Sequence, residues 1–90
     1  MASRTLIKGA QADCPTTTGS ASTFGNATVV RLCNNGGTAR LITVVEEQNG
    51  TVLGTFTMPG NTVEFVEKKD SHCIFAGDKS DKGSAAGFTN

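Results

Sequence analysis

Residues 38–66 read TARLITVVEEQNGTVLGTFTMPGNTVEFV, and this stretch decides the fold prediction. It contains three runs rich in Val, Ile, Thr and Phe, separated by QNG at residues 48–50 and by PGN at residues 59–61. Both separators are turn-forming sequences at the spacing of hairpin loops. The stretch therefore predicts three consecutive antiparallel strands that act as a scaffold, with no convincing catalytic group among them.

The chain before this stretch predicts one more strand and a tight turn. Residues 27–33 (ATVVRLC) alternate, so that Val30 and Leu32 share one face. The NNGG sequence at 34–37 favours a hairpin connection to the next strand. That next strand carries apolar residues on both faces, which is typical of a central strand.

Shorter strands are predicted near both ends of the chain. Residues 3–8 form a brief edge strand or an arm, residues 72–76 (HCIFA) a buried strand, and residues 87–90 a final strand that pairs near the start. Residues 9–26 and 77–86 are small and polar, and they predict a long loop and a flexible loop. The long loop is either a partner-contact segment or a mobile surface loop.

These elements predict one all-β domain over residues 1–90. Six or seven short strands without a helix favour a small antiparallel β-sandwich, immunoglobulin-like or jelly-roll-like, or else a small barrel. Within it, residues 1–26 form an N-terminal arm and loop, and residues 77–90 form a flexible loop followed by a C-terminal strand.

Charge and composition argue against two classes of partner. The eight basic and eight acidic residues give a net charge of zero, so no electrostatic field attracts nucleic acid or an anionic membrane. Tyr and Trp are absent, and the five Phe residues fall mostly at core-like strand positions. The N-terminus also lacks the apolar run of a signal peptide or a membrane span. We therefore expect a protein that is made in a cytoplasm and packs against protein partners.

No residue pattern predicts catalysis, a metal site or a cofactor. Cys14, Cys33 and Cys73 are odd in number and lack the close pairing of a zinc site, so reduced structural thiols are expected. His72 is the only histidine, and it points away from Cys73 in an extended segment. Asp78 begins a segment that only superficially resembles a calcium loop, because no carboxylate closes it. The sequence predicts that the protein is not an enzyme.

Four consecutive pieces of the chain resemble a known group of proteins. They are ATVVRLCN at 27–34, ARLITV at 39–44, GTFTMPG at 54–60 and VEFVEK at 63–68 followed by Asp70. Together they look like the small structural proteins of tailed bacteriophages, especially cyanophages, over about residues 27–76. Lys69, where proline is common in that group, and the segment 77–86 depart from the pattern.

The resemblance implies a non-enzymatic virion protein. The preferred role is a capsid decoration or cement protein that binds the major capsid protein lattice on the virion surface and stabilises the head. Two alternatives remain open: a tail, neck or fibre-associated protein bound to other virion proteins, and a cytoplasmic β-sandwich binding module. Self-association into a homo-oligomer is a further possibility. The predicted partner contacts lie near both ends of the chain, at Arg4, Leu6, Ile7, Phe24 and Phe88.

Overall fold

Two antiparallel sheets pack face to face in the computed structural model, which describes residues 4–77 and 81–89. The described strands form separate sheets, so the β-sandwich prediction is confirmed and the closed barrel is wrong. There are eight described strands, one or two more than expected. In chain order they are β1 (Arg4–Ile7), β2 (Ala12–Asp13), β3 (Val29–Asn34), β4 (Arg40–Val45), β5 (Val52–Met58), β6 (Thr62–Glu67), β7 (Cys73–Ala76) and β8 (Lys82–Thr89), with a short 3-10 helix at Thr18–Ser20 between β2 and β3.

The larger sheet has five strands and the smaller sheet has three. The five-stranded sheet runs β1-β8-β3-β6, and β2 also pairs with β8. The three-stranded sheet runs β5-β4-β7, which confirms that β4 is a central strand. Pairing of β1 with β8 likewise confirms the prediction that the end of the chain pairs near its start.

The core lies between the two sheets and is built from alternating residues of their facing strands. Val30 and Leu32 point inward from β3, and both are fully buried. They belong to one cluster with Ile42, Met58 and Ile74 of the opposite sheet. Burial of each such aliphatic side chain contributes about 1.5–3 kcal/mol, so this inter-sheet contact is a principal source of stability.

The predicted three-strand meander is only half correct. β4 and β5 form the expected hairpin around residues 48–50, where Asn49 has φ of 59°. β6, however, pairs with β3 in the other sheet. Residues 59–61 therefore cross between the sheets. The hairpin predicted at residues 34–37 is also wrong. β3 pairs with β6 and β8, and the chain then crosses to β4 in the other sheet.

The side chain of Asn34 holds these two crossing connections together. Its Nδ2 donates to the carbonyl oxygens of Thr38 at 2.8 Å, Met58 at 3.1 Å and Pro59 at 3.3 Å. Its Oδ1 accepts from the backbone N–H of Gly36 at 3.0 Å. These hydrogen bonds favour this path of the two connections, because a different path would leave the buried amide of Asn34 without partners.

The segment 9–26 is mostly irregular and exposed, as expected for a long loop, but it is anchored on the sandwich by a few buried side chains. It contains β2 and the 3-10 helix, and it buries Cys14 and Phe24. Ser22 and Ile74 exchange two backbone hydrogen bonds of 3.0 and 2.8 Å, which extends the edge of β7. The segment therefore covers part of the three-stranded sheet.

Phe24 anchors this segment in a demanding backbone geometry. Its φ is 52°, and Gly25 and Asn26 also have positive φ. The ring lies over Gly83 of β8, where an added Cβ would come within 2.5 Å of the Phe24 ring. A glycine is therefore needed at position 83 for the ring to reach the core.

The C-terminal part is more regular than the sequence predicted. β8 begins at Lys82, so residues 82–86 are strand rather than flexible loop. Residues 78–80 of that predicted loop lie outside the described residues.

Candidate protein-binding face

The outer face of the five-stranded sheet is defined by the strand register, because residues opposite each other in antiparallel strands share a face. Val30 and Leu32 point into the core, so their neighbours in β3 point outward. We call this surface the outer face. Its three rows across the sheet are Ile7, Ala86, Val29 and Glu67; Ser84, Arg31 and Phe65; and Asp13, Lys82, Cys33 and Val63.

Large apolar side chains remain in contact with solvent on the outer face. Ile7 is 53% exposed, Val63 is 40% exposed and Phe65 is 39% exposed. Val29 and Cys33 lie between them and are half-buried. Single exposed apolar residues are ordinary on protein surfaces, whereas several on one face of a sheet are typical of an interaction site.

Charged side chains lie among these apolar residues and at one end of the face. Arg31 lies in the middle row, directly opposite Phe65. At one end of the face Lys82 forms an ion pair with Asp13 across the β2–β8 pair. Aromatic residues and arginine are enriched in the centres of protein interfaces, and polar residues are typical of their rims.

The sequence predicted that the Phe residues lie mostly at core-like strand positions. Alternation places Val63 and Phe65 on the same face of β6 but does not show which face is inward. Register with β3 instead directs both outward, opposite Cys33 and Arg31. The signal that could have found this face was the pairing of β6 with β3, because the inward row of β3 was already clear. Neither Val63 nor Phe65 was among the predicted contact residues.

The predicted contact residues fall in different places. Ile7 lies on the outer face, whereas Leu6 points to the other side of β1 and is 48% exposed. Phe24 is only 8% exposed and packs in the core, which corrects its assignment as a contact residue. Arg4 and Phe88 lie in the paired strands β1 and β8, and their side chains are outside what the structure describes.

Cys14 and Lys68 are titratable groups that lie beneath the surface within the described part of the chain. Burial raises the pKa of the Cys14 thiol to about 12, and the nearby Asp81 charge adds to the effect. Burial lowers the pKa of the Lys68 ammonium, whose Nζ donates to the carbonyl of Ala27 at 2.6 Å. A thiol with a raised pKa is a poor nucleophile at neutral pH, so Cys14 has a packing role.

The remaining thiols are also unpaired in the structure. Cys33 is half-buried on the outer face, and its Sγ donates to Oδ1 of Asn35 at 3.0 Å. Cys73 is buried beside Ala21 and Val45, under the packed segment 9–26. Cys33 is therefore the thiol best placed to report on the outer face.

The described residues do not bring together a set of metal-ligating side chains. Within 4–77 and 81–89, no group of three or more His, Cys, Asp or Glu side chains is close enough to hold a metal ion. A shallow depression of about 640 Å³ between Ser20–Thr23 and the β4–β5 hairpin is lined by Glu47 and Gln48, with Cys73 at its base. Among the same described residues, no helix has the length and apolar character needed to cross a membrane.

No family model, no curated protein and no solved structure matches this chain. The resemblance to tailed-phage structural proteins therefore stays a prediction from the strand and turn sequences.

Proposed function

We propose that this protein is a non-enzymatic structural protein that binds a larger protein assembly through its outer face. The observation that carries the proposal is the exposure of Ile7, Val63 and Phe65 together on that face. Following the sequence resemblance, we propose the assembly to be a virion and the role to be that of a capsid decoration or cement protein, bound to the major capsid protein on the capsid surface.

A rigid sandwich with one adhesive face fits this role physically. A protein that binds only the assembled lattice stabilises it by mass action, and this requires no chemistry. Zero net charge gives no long-range attraction to nucleic acid, and it allows many copies to lie on one surface without mutual repulsion. Removal of the exposed apolar side chains from water supplies the attraction.

The first test is quantitative mass spectrometry of virus particles purified from the source of the sequence. We expect the chain in the particles at a copy number comparable with that of the shell protein. A few copies per particle would favour the tail, neck or fibre alternative. Absence from the particles would contradict both virion roles and leave the cytoplasmic binding module.

The second test uses neighbouring residues that point to opposite sides of β1. Ile7→Glu places a charge on the outer face, and Leu6→Glu places the same charge on the other side of the strand at similar exposure. Phe65→Glu tests the centre of the face. We expect Ile7→Glu and Phe65→Glu to lose attachment to particles and Leu6→Glu to retain it. Equal attachment of all three folded variants would contradict the assignment of the outer face.

A further inference from the structure

β5 is an edge strand without the charged residues and prolines that commonly protect such an edge. It pairs with β4 on one side, and no described strand lies on its other side. Its sequence VLGTFTM contains neither a charged residue nor a proline. Val52 is 55% exposed and Leu53 is 49% exposed. Edge strands usually carry charges or prolines because their unpaired N–H and C=O groups attract further strands.

One edge strand of the other sheet, β6, provides a contrast within the same molecule. β6 carries the exposed carboxylates Glu64 and Glu67 in a strand of similar length. Irregular pairing in β5 is confined to its beginning, where the register shifts opposite Val44 and Val45. From Gly54 to Met58 the pairing with β4 is regular, so this part offers a straight edge for another strand.

We propose that β5 pairs antiparallel with β5 of a second copy of this chain, around a two-fold axis. The three-stranded sheets of the two copies then form one continuous six-stranded sheet. The proposal does not depend on the proposed function, because it uses the opposite sheet from the outer face.

A second copy is favoured over a foreign strand by self-complementarity. In a two-fold pair every side chain of β5 meets another from the same strand, and an uncharged strand meets no like charge there. The whole chain also has zero net charge, so two copies do not repel at long range. β6 fails the same criterion, since its two carboxylates would face a second negative strand.

Symmetry fixes the contacts. Thr55 is the middle residue of β5, so in a centred pair it faces Thr55 of the second copy, while Gly54 lies opposite Phe56. Leu41 of β4 is exposed beside Thr57 and joins the same surface. A strand-to-strand contact of this kind belongs to the small interface class, below about 1,200 Å² of total buried surface, so we expect a weak, concentration-dependent dimer.

Sedimentation equilibrium of the full chain over a wide concentration range tests the proposal. We expect a reversible monomer–dimer equilibrium for the natural sequence. Thr55→Lys places two ammonium groups face to face at the axis, so this variant is expected to be monomeric throughout. Thr55→Glu is also expected to be monomeric, and an equimolar mixture of the two should regain dimer through opposite charges.

A matched control and a cross-linking variant keep the result interpretable. Glu64→Lys changes a charge on the β6 edge and should leave the dimer constant unchanged. Thr55→Cys, made with Cys33→Ser to remove the half-buried thiol, should form an intermolecular disulfide on mild oxidation. This second readout applies even if Thr55→Lys fails to fold. A monomer at all concentrations, a dimer that Thr55→Lys leaves intact, or the absence of the cross-link in the Thr55→Cys variant would overturn the proposal.

Discussion

Residues 9–26 bury some side chains despite a polar composition, whereas β5 and β6 expose apolar side chains despite an apolar composition. The first segment is rich in Gly, Ser and Thr, yet it buries Cys14 and Phe24. β5 and β6 are rich in β-forming apolar residues, yet the side chains of Val52, Leu53 and Phe65 are substantially exposed. β5 and β6 are edge strands with no described strand beyond them, whereas a few specific contacts hold the polar segment against the sandwich.

Burial in these regions follows the cover that neighbouring segments provide more closely than local hydrophobicity. β5 and β6 are edges with no described strand beyond them, whereas the edge strand β7 is paired with Ser22 and stays buried. A segment without regular structure can still contribute to the core when one large side chain reaches it. Phe24 does this in the segment 9–26, and the backbone pair formed by Ser22 and Ile74 secures the segment beside β7.

The largest expected effect comes from truncating the same residue type in the two regions. Phe24→Ala leaves a cavity in the core and should lower the free energy of unfolding by about 3–5 kcal/mol. Phe65→Ala removes a ring at the surface and should cost roughly 1 kcal/mol or less. Urea unfolding followed by circular dichroism measures both. If Phe24→Ala leaves too little folded protein, Phe24→Leu provides a milder comparison. Equal costs would contradict the assignment of Phe24 to the core.

A second prediction concerns the connection that separates β5 from β6. Asn34→Ala removes the amide that bonds both crossing segments and leaves the buried carbonyl of Met58 without that donor. We expect a loss of about 1–3 kcal/mol in the free energy of unfolding, since buried polar groups without partners are costly. Asn35→Ala is the control, because Asn35 is exposed and its loss should stay within about 0.5 kcal/mol. Similar stabilities of the two variants would contradict the claim that the Asn34 side chain stabilises the two connections between the sheets.

Most strand positions were predictable, and the connections between them were not. Alternation located β3, β4, β5 and β6, because period-two patterns follow directly from strand geometry. Turn sequences indicated where the chain reverses. They did not show whether it reverses within one sheet or passes to the other, because PGN at 59–61 suits both paths. The hydrogen bonds of Asn34 stabilise the crossing path here, and they involve residues up to 25 positions away.

The candidate face was hidden for the same reason. Both faces of β6 carry apolar side chains, with Val63 and Phe65 on one and Val66 on the other. Only pairing with β3 fixes which face is inward, since Val66 lies opposite the buried Val30. The anchoring role of Phe24 could not be predicted either, because it depends on contact with Gly83, which is far away in the sequence.

A third, smaller effect tests the burial of a lysine immediately after β6, where Phe65 is exposed and Lys68 is buried. Because burial lowers the pKa of Lys68 below its ordinary value of 10.5, the unfolded chain binds more protons between the two pKa values. The free energy of unfolding should therefore rise with pH through this window, relative to Lys68→Met. Lys69→Met removes a neighbouring exposed positive charge and serves as the control for the loss of charge itself. The measurement is urea unfolding from neutral pH to about pH 10.5, the ordinary pKa of lysine, and the titration of Cys14 cancels in the difference. Parallel curves for wild type and Lys68→Met would contradict the burial of the ammonium group.

The last prediction concerns the accessibility of the thiols to solvent in the native protein. Cys14 lies in the polar segment and Cys33 in an apolar strand, so composition alone would make Cys14 the accessible one. The structure predicts the reverse, because Cys14 is buried with a pKa raised to about 12, whereas Cys33 is half-buried on the outer face. Labelling of the native protein with a maleimide, followed by peptide mass spectrometry, should modify Cys33 first and leave Cys14 protected until unfolding. Cys33→Ser should abolish the fast phase. Fast labelling of Cys14 in that variant would show that the segment 9–26 opens readily in the native protein. It would contradict the prediction that Cys14 is protected and Cys33 is accessible.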